Sequence, residues 1–284
     1  MTKPGKLDAA LAKQVFSNRS VAGHEATFAT HRERTTAEIA SRAPSSGRGR
    51  LALLGIGNAN DVDLAALAPR FGELHLADVD AEAVGRAVAR VPEPLRARFT
   101  VHAPIELSGL LDRVHADPPG PAMVAAAVAR VAAALPGPFD VVVSCSLLTQ
   151  LQLVLLQLVG DTDPSFEALR AAVSAAHVRT LATLLAPGGV ALLVTDLTSS
   201  EIYPPIDHLD PGADLGKLMA DLLAGGHVIY VAHPGMLSAE IRRDPELGRR
   251  YTIRSPVGPW LWRNGPSQTM LVYALEIRDN RTDS

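Results

Sequence analysis

A pair of glycines and the polar residues after them form the first candidate site. Gly55 and Gly57 follow the aliphatic run "RLALL", and Asn60 and Asp61 come shortly afterwards. Glycine in a strand-to-helix turn lets the main chain approach a ligand closely and adopt positive φ. The dinucleotide fingerprint G-x-G-x-x-G needs a third glycine where this chain has Asn60, which disfavours a pyrophosphate. A ligand without phosphate suits this turn better.

A carboxylate after the second apolar run is placed to bind a ribose. Asp78 directly follows "ELHLA", and a carboxylate at this position accepts hydrogen bonds from both ribose hydroxyls. NAD and S-adenosylmethionine both carry that ribose, so Asp78 does not distinguish them. Asp80 competes for the role, although it stands where a helix N-cap is expected. Asp61 could line the same pocket, or it could only interact with the N-terminal dipole of the following helix.

These residues lie in a regular alternation of strands and helices. Strands are expected at 50–56, 73–78, 97–103, 139–145, 190–196, 227–233 and 269–277. Helices are expected at 60–70, 81–91, 121–135, 147–160, 164–185 and 213–224. Strands separated by helices imply parallel pairing with helices on both sheet faces. The sequence therefore predicts a doubly wound, Rossmann-like α/β sheet of about seven strands, with ligands bound beyond the strands' carboxyl ends.

Two segments lie outside that alternation. Residues 7–42 are expected to be helical, so that residues 1–49 form an N-terminal helical cap and 50–284 form the sheet domain. The long link at 234–268 is an insertion of the kind that is usually functional or disordered. In an extended segment its Trp260 and Trp262 would face one side, either as a substrate wall or as a cover for the core edge. Its arginines favour an exposed helix with internal ion pairs.

Four stretches in this order resemble the motif series of class I S-adenosylmethionine-dependent methyltransferases. They are "LALLGIGNANDVDL", "ELHLADVDAEAV", "FDVVVSCSLLTQL" and "LLAPGGVALLVTD", from about residue 50 to 196. The resemblance implies S-adenosylmethionine as the cofactor, a mostly parallel sheet with its last strand antiparallel, and methyl transfer to a small-molecule acceptor by in-line displacement. It also implies cofactor-binding roles for Gly55, Gly57, Asn58, Asp61, Asp78, Glu106, Ser144 and Ser146. Glu106 could instead be a solvated loop acid, and the two serines could only permit close packing.

Departures from the motif series keep other functions open. Leu53 stands where many members have an acid, Ala59 stands where a further glycine is common, and "VHAPIE" lacks the usual aspartate. A methyltransferase-like binding or partner protein without catalysis is therefore the first alternative. An NAD-dependent oxidoreductase is less favoured, because Asn60 and the motif order both argue against it.

No residue is marked as a catalytic base. Asp196 ends the fifth predicted strand on the substrate side, and Tyr203 follows it. His31 could reach the site if the N-terminal helix covers it, although a solvated helix face is the favoured interpretation. Methyl transfer requires a base only when the acceptor must lose a proton.

Composition excludes several classes of function. The formal net charge of −3 over 284 residues gives no support to nucleic-acid binding, and no segment is apolar enough for a clean membrane span. The single cysteine, Cys145, is expected to be a buried small apolar side chain, and it favours a reducing compartment. The first residues lack the apolar core of a signal peptide, so a cytoplasmic protein is expected. No metal site is expected, and the oligomeric state stays open.

Overall fold

A computed structural model describes residues 5–23, 26–254, 256–263 and 268–281. Its strands are β1 (Arg50–Leu54), β2 (Glu73–Ala77), β3 (Phe99–His102), β4 (Phe139–Cys145), β5 (Leu185–Ser199), β6 (Tyr251–Ile253), β7 (Val257–Arg263) and β8 (Thr269–Asp279). Its α-helices are α1 (Lys6–Ser20), α2 (Ala29–Ala40), α3 (Leu64–Leu67), α4 (Ala81–Ala89), α5 (Glu93–Arg96), α6 (Pro121–Ala134), α7 (Leu147–Val159), α8 (Phe166–Thr183), α9 (Leu215–Gly225), α10 (Pro234–Arg242) and α11 (Pro245–Arg250).

The sheet is doubly wound, with the strand order β3-β2-β1-β4-β5-β8-β6. Strands β1 to β5 pair in parallel, and β8 runs antiparallel to β5. Short strands β6 and β7 pair antiparallel with successive parts of β8. The predicted Rossmann-like sheet with its antiparallel last strand is confirmed, with eight strands in the described chain rather than about seven.

Alternating side chains of the central strands fill two apolar cores, one on each sheet face. Ala52 and Leu54 of β1 join the core shared with α6, α7 and α8. Leu51 and Leu53 join the opposite core, which α3, α4 and the tryptophans of β7 complete. Strands covered on both faces are apolar throughout their length, which explains the run "RLALL".

The predicted strand at 227–233 is wrong. Ile229 donates one main-chain hydrogen bond to Leu197 O at 2.7 Å, but a 3₁₀ turn follows at Tyr230–Ala232. Pro234 then begins α10, capped by the His233 side chain. The edge of β5 that this segment would need is already paired with β8.

Helix boundaries also differ from the prediction at the two places nearest the site. The predicted continuous helix at 7–42 is divided into α1 and α2. The helix predicted at 60–70 begins only at Leu64, because Asp63 is its N-cap and accepts a hydrogen bond from Ala66 N. The extra length of the turn after β1 places Asn58, Asn60 and Asp61 in irregular backbone that faces the N-terminal helices.

Candidate functional site

The turn after β1 has the geometry that requires glycine. Gly55 has φ of +73°, and a Cβ there would lie 2.8 Å from Leu147 Cβ at the start of α7. Gly57 has φ of +46°, and its N–H donates to Asp78 Oδ2 at 2.8 Å. Ala59 also adopts positive φ, of 52°, with its side chain in the apolar core. The main chain therefore turns sharply over the carboxyl ends of β1 and β4.

Asp78 fixes that turn to the end of β2. Its second oxygen, Oδ1, accepts the Asp80 N–H at 2.8 Å, and the side chain is buried. Burial is the largest influence on its pKa, which is raised, while the two main-chain donors act in the opposite direction. Asp80 caps α4 by accepting Ala83 N at 3.0 Å, as the sequence indicated. Of these two acids, Asp78 is therefore the one that faces the cavity.

The asparagines of the turn hold the end of α1. Asn58 Nδ2 donates to Asn18 O at 2.6 Å, and Asn60 Nδ2 donates to Val21 O at 3.1 Å. Asn58 Oδ1 accepts from Arg86 of α4 at 3.1 Å. The side chains that distinguish this turn from a phosphate-binding loop therefore attach it to the N-terminal segment.

A cavity of about 690 Å³ lies beyond the carboxyl ends of β1, β4 and β5. Among its described lining residues are five carboxylates and one guanidinium: Asp61, Asp78, Asp161, Asp196, Glu201 and Arg170. Its mouth carries four exposed apolar side chains: Leu153, Leu156, Ile202 and Tyr230. The cavity therefore combines acidic side chains, of which Asp161 and Glu201 are exposed, with an apolar rim.

Two carboxylates at the inner end of the cavity are poorly solvated. Burial raises the pKa of both Asp61 and Asp196 to about 7, and the negative charge of Asp196 contributes to the shift at Asp61. Arg32 offsets part of that shift. Thr149 Oγ1 donates to Asp196 Oδ2 at 3.4 Å, whereas Oδ1 of each acid has no hydrogen-bond partner. Asp61 precedes α3 by three residues and therefore does not lie in the first turn of that helix.

His31 is buried beside Asp61, which corrects the favoured interpretation of a solvated helix face. Its Nδ1 accepts the indole N–H of Trp260 at 3.0 Å, so the ring proton belongs on Nε2. That Nε2 lies 3.6 Å from Asp61 Oδ1, beyond hydrogen-bond distance. Burial lowers the pKa of His31 to about 3, so the ring is neutral. Helix α2 therefore places His31 next to Asp61, although His31 does not itself line the described cavity.

The two tryptophans of β7 face the same side of the strand, as expected, but have different positions. Trp262 lines the cavity and stacks on His31 with a centroid distance of 4.5 Å. Phe28, 5.2 Å from Trp262 by ring centroids, lines the cavity as well. Trp260 lies behind His31 and is absent from the described lining. Of the two tryptophans, only Trp262 can directly contact a ligand in the cavity.

The remaining predicted residues are divided between the site and the core. Ser146 lines the cavity, and its Oγ is buried without a hydrogen-bond partner. Ser144 instead pairs with His177 Nε2 at 2.8 Å on the α8 side of the sheet, and it lines no described cavity. Tyr203 packs near His227, with ring centroids 5.7 Å apart, also away from the cavity lining. The predicted roles of Ser144 and Tyr203 are therefore not supported by their positions.

A narrow slot of about 40 Å³ adjoins the cavity at Asp78. Its walls are mostly apolar, with Val79, Ile105, Leu107 and Leu147 among them. Glu106 also lines it, but that carboxylate accepts from Ser108 N at 2.7 Å and from Ser108 Oγ at 2.9 Å, within its own loop. Burial raises the pKa of Glu106 despite these donors.

Several lining residues carried no signal in the sequence. Gln14, Asn18 and Val21 reach the cavity from α1 and its end, Thr149 and Gln150 from α7, and Tyr230 from the 3₁₀ turn. They are ordinary polar or apolar residues whose positions follow from tertiary packing. Three of the six link arginines form ion pairs outside the cavity: Arg243 pairs with Glu240, Arg250 with Asp279 and Arg254 with Glu276.

Two absences are defined for the described part of the chain. No helix there is both long and apolar enough to cross a membrane. In the same residues, no three His, Cys, Asp or Glu side chains are placed to hold a metal ion. Cys145 is a free, buried thiol whose pKa is raised by burial.

The similarities found between this chain and known proteins are similarities of structure. No protein-family model matches the chain, and no curated protein matches it. An O-methyltransferase from Bacillus cereus in complex with SAH is similar over 98% of this chain and 94% of its own, at 11% identity and a TM-score of 0.45. N-methyltransferase NodS from Bradyrhizobium japonicum WM9 in complex with S-adenosyl-L-homocysteine is similar over 87% and 86%, at 13% identity and a TM-score of 0.42. An rRNA methylase from Streptococcus thermophilus is similar over 87% and 96%, at 12% identity and a TM-score of 0.43.

Proposed function

We propose that this protein transfers a methyl group from S-adenosylmethionine to a small-molecule acceptor. The proposal is carried by the position of Asp78, a carboxylate at the end of β2 where an apolar slot meets the larger cavity. A ribose held there would place a base in the slot and the rest of the nucleoside along the turn at Gly55 and Gly57. This is the general position of ligands in doubly wound sheets.

The residues around Asp78 fit such a cofactor in their chemistry. Each carboxylate oxygen accepts one main-chain N–H, which leaves lone pairs for two ribose hydroxyls. The apolar slot walls suit a flat base, and the unpartnered Ser146 Oγ offers a polar contact near the turn. The slot volume of about 40 Å³ is far below that of a purine, so the slot must widen. Leu11 of α1 forms one wall, which makes a shift of α1 the simplest way to widen it.

The chemistry is divided between cofactor and protein. S-adenosylmethionine supplies an electrophilic methyl group on a sulfonium sulfur. The residues of this chain bind, align and shield the reactants, and alignment alone accounts for a large part of such a rate enhancement. The five cavity carboxylates favour a small acceptor over a nucleic acid, whose phosphates they would repel.

Calorimetric titration with S-adenosylmethionine tests the proposal, with Asp78→Ala as the informative variant. We expect at least about a hundredfold loss of affinity, because two hydrogen bonds to a charged acceptor each contribute roughly 1.5–3 kcal/mol. The matched control is Asp63→Ala, which also removes a carboxylate that accepts a main-chain N–H but lies outside both cavities. If S-adenosylmethionine at millimolar concentration gave neither a heat of binding nor a thermal shift, the proposed methyltransferase function would be contradicted.

A methyltransferase-like binding protein is the second candidate. The observation that favours it is the engagement of α1 with the turn through Asn58 and Asn60, which narrows the cofactor side of the cavity. This candidate expects ligand binding in the cavity together with no response to S-adenosylmethionine in the same titration.

A further inference from the structure

The negative charge of the two acids at the inner end of the cavity is only partly compensated, since Arg32 offsets part of the shift in the pKa of Asp61. Oδ1 of Asp61 and Oδ1 of Asp196 lack hydrogen-bond partners, and Asp196 is only 6% exposed. Ser146, 3% exposed, turns a third unpartnered oxygen into the same cavity. Carboxylates withdrawn from water in this way are stabilised by a bound cation that supplies both charge and hydrogen bonds.

We propose that Asp61 and Asp196 bind the protonated amino group of the acceptor, so that the acceptor is an amine with an apolar body. This assignment rests on the proposed function. An ammonium group carries several N–H donors and can satisfy both free carboxylate oxygens at once. Trp262 and Phe28 line the same end of the cavity, and aromatic faces also attract ammonium groups.

The site suits an organic cation better than a metal ion. In the part of the chain that the structure describes, no three ligating side chains converge. Neutral His31 has its Nε2–H directed toward Asp61 at 3.6 Å, which would oppose a metal ion placed between them. Among the cavity-lining residues described, the only cation is Arg170, which pairs with Glu167 and lies over the ring of Tyr230.

The position in the sheet assigns the two acids to the acceptor rather than to the cofactor. Asp78 directly follows β2, and Asp196 lies near the end of β5, which continues past a bulge to Ser199 and not only to residue 196 as predicted; β1 and β4 lie between β2 and β5. Three strand spacings correspond to about 14 Å at roughly 4.8 Å each. Asp61 lines the same cavity as Asp196, and the negative charge of Asp196 acts on the pKa of Asp61. Asp196 is therefore on the side of the cavity opposite the expected ribose.

The rim of the cavity defines the rest of the acceptor. Leu153, Leu156, Ile202 and Tyr230 are between 39% and 56% exposed and surround the mouth. A molecule whose ammonium group reaches Asp196 would place its remaining atoms against these side chains. Burying apolar surface is favourable, so a hydrophobic amine is favoured over a short polar one.

The same carboxylates can accept the proton that the amine must lose before it reacts. An ammonium N–H bond breaks, a carboxylate O–H bond forms, and the nitrogen keeps the electron pair. The amine and the acid that takes its proton both become neutral, and the second carboxylate keeps its negative charge. Asp61 and Asp196 would therefore bind the acceptor and prepare it for methylation.

Binding of 2-phenylethylamine in the presence of saturating S-adenosylhomocysteine tests the assignment, with 2-phenylethanol as the neutral analogue. Calorimetry at pH 8 should give at least tenfold tighter binding of the amine than of the alcohol. Asp196→Asn should remove at least tenfold of the amine affinity and leave that of the alcohol unchanged. Asp221→Asn, a surface carboxylate paired with Lys217, is the control and should bind both compounds as the unmodified protein does.

Three results would overturn the assignment. They are equal binding of amine and alcohol, unchanged amine affinity in Asp196→Asn, and a loss of S-adenosylmethionine affinity in Asp196→Asn as large as the loss for the amine. The last result would mean that the two acids bind the cationic groups of the cofactor instead of the acceptor. Repeating the amine titration without S-adenosylhomocysteine separates the two proposals. If the protein binds the amine but does not bind the cofactor, the cation site is supported and the proposed methyltransferase function is contradicted.

Discussion

The side-chain amide of Asn58 donates a hydrogen bond of 2.6 Å to the main-chain oxygen of Asn18, joining the turn after β1 to the end of α1. Asn60 makes the equivalent bond to Val21 O at 3.1 Å. The polar turn that fails as a pyrophosphate loop thus has a structural purpose. It holds α1 over the carboxyl ends of the strands, where Leu11, Gln14 and Asn18 line the two cavities.

We expect Asn58→Ala to loosen α1 without unfolding the sheet. Loss of this bond removes about 1 kcal/mol of attachment, which corresponds to roughly fivefold faster amide exchange in α1. Hydrogen exchange followed by mass spectrometry measures the change. Asn280→Ala removes a comparable exposed bond, to Thr252, and should leave α1 unaffected. Unchanged exchange in α1 of the Asn58 variant would show that its apolar contacts suffice.

Gly55 and Gly85 should respond oppositely to alanine. Gly55 has φ of +73° and its added Cβ would lie 2.8 Å from Leu147 Cβ, so Gly55→Ala should destabilise by about 1–3 kcal/mol. Gly85 lies inside α4 with nothing within 4 Å of an added Cβ, so Gly85→Ala should stabilise by about 0.5–1 kcal/mol. Urea unfolding gives both values. Equal effects would mean that the turn tolerates a side chain.

The sequence predicted the central strands well because they are covered on both faces. The run "FDVVVSC" corresponds to β4 residue for residue, and Asp78 and Asp80 have the positions expected at the end of β2. The same rule failed at 227–233, where Val228, Ile229 and Val231 are apolar because they pack around a 3₁₀ turn. An apolar pattern indicates that a segment is buried, but it does not indicate which strand edge is free to pair with that segment.

The inner end of the candidate site could not be predicted. His31 and Trp260 are 229 residues apart in sequence and meet only because α2 packs on β7. Leu53, where an acid is common in the motif series, is fully buried in the apolar core between β2 and β4. The negative charge of the site is instead supplied by Asp61 and Asp196. Both acids line one cavity because of the strand order and not because of any local spacing.

Replacing Asp196 with asparagine should change the pH dependence of stability. The carboxyl pKa is about 7 in the folded protein against 3.8 ordinarily, so the folded state binds this proton more tightly. That stabilisation is complete below about pH 4 and is lost as pH rises to about 7. The unfolding free energy of Asp196→Asn, relative to the unmodified protein, should therefore rise between pH 4 and 7 by on the order of 4 kcal/mol.

Asp61 is coupled to this titration, because the negative charge of Asp196 raises the pKa of Asp61, so Asp196→Asn should also lower the pKa of Asp61. Denaturant unfolding at pH 4, 5.5 and 7 measures the difference. Asp221→Asn, on an exposed carboxylate, should follow the unmodified protein at each pH. A constant difference between Asp196→Asn and the unmodified protein would mean that Asp196 is ionised throughout this range.

The bond between His31 and Trp260 should be visible as a coupling free energy. His31→Phe leaves the buried indole N–H of Trp260 without an acceptor, and an unsatisfied buried donor costs about 1–3 kcal/mol. Trp260→Phe removes the donor and some apolar volume. The double variant, His31→Phe with Trp260→Phe, has neither polar partner. Its loss of unfolding free energy should therefore be smaller, by at least about 1 kcal/mol, than the sum of the losses in the two single variants. Urea unfolding of the four proteins completes the cycle, with His115→Phe as an exposed control expected within about 0.5 kcal/mol of the unmodified protein. Additive losses would mean that the 3.0 Å contact contributes packing alone, and that His31 is free to present either ring nitrogen to Asp61.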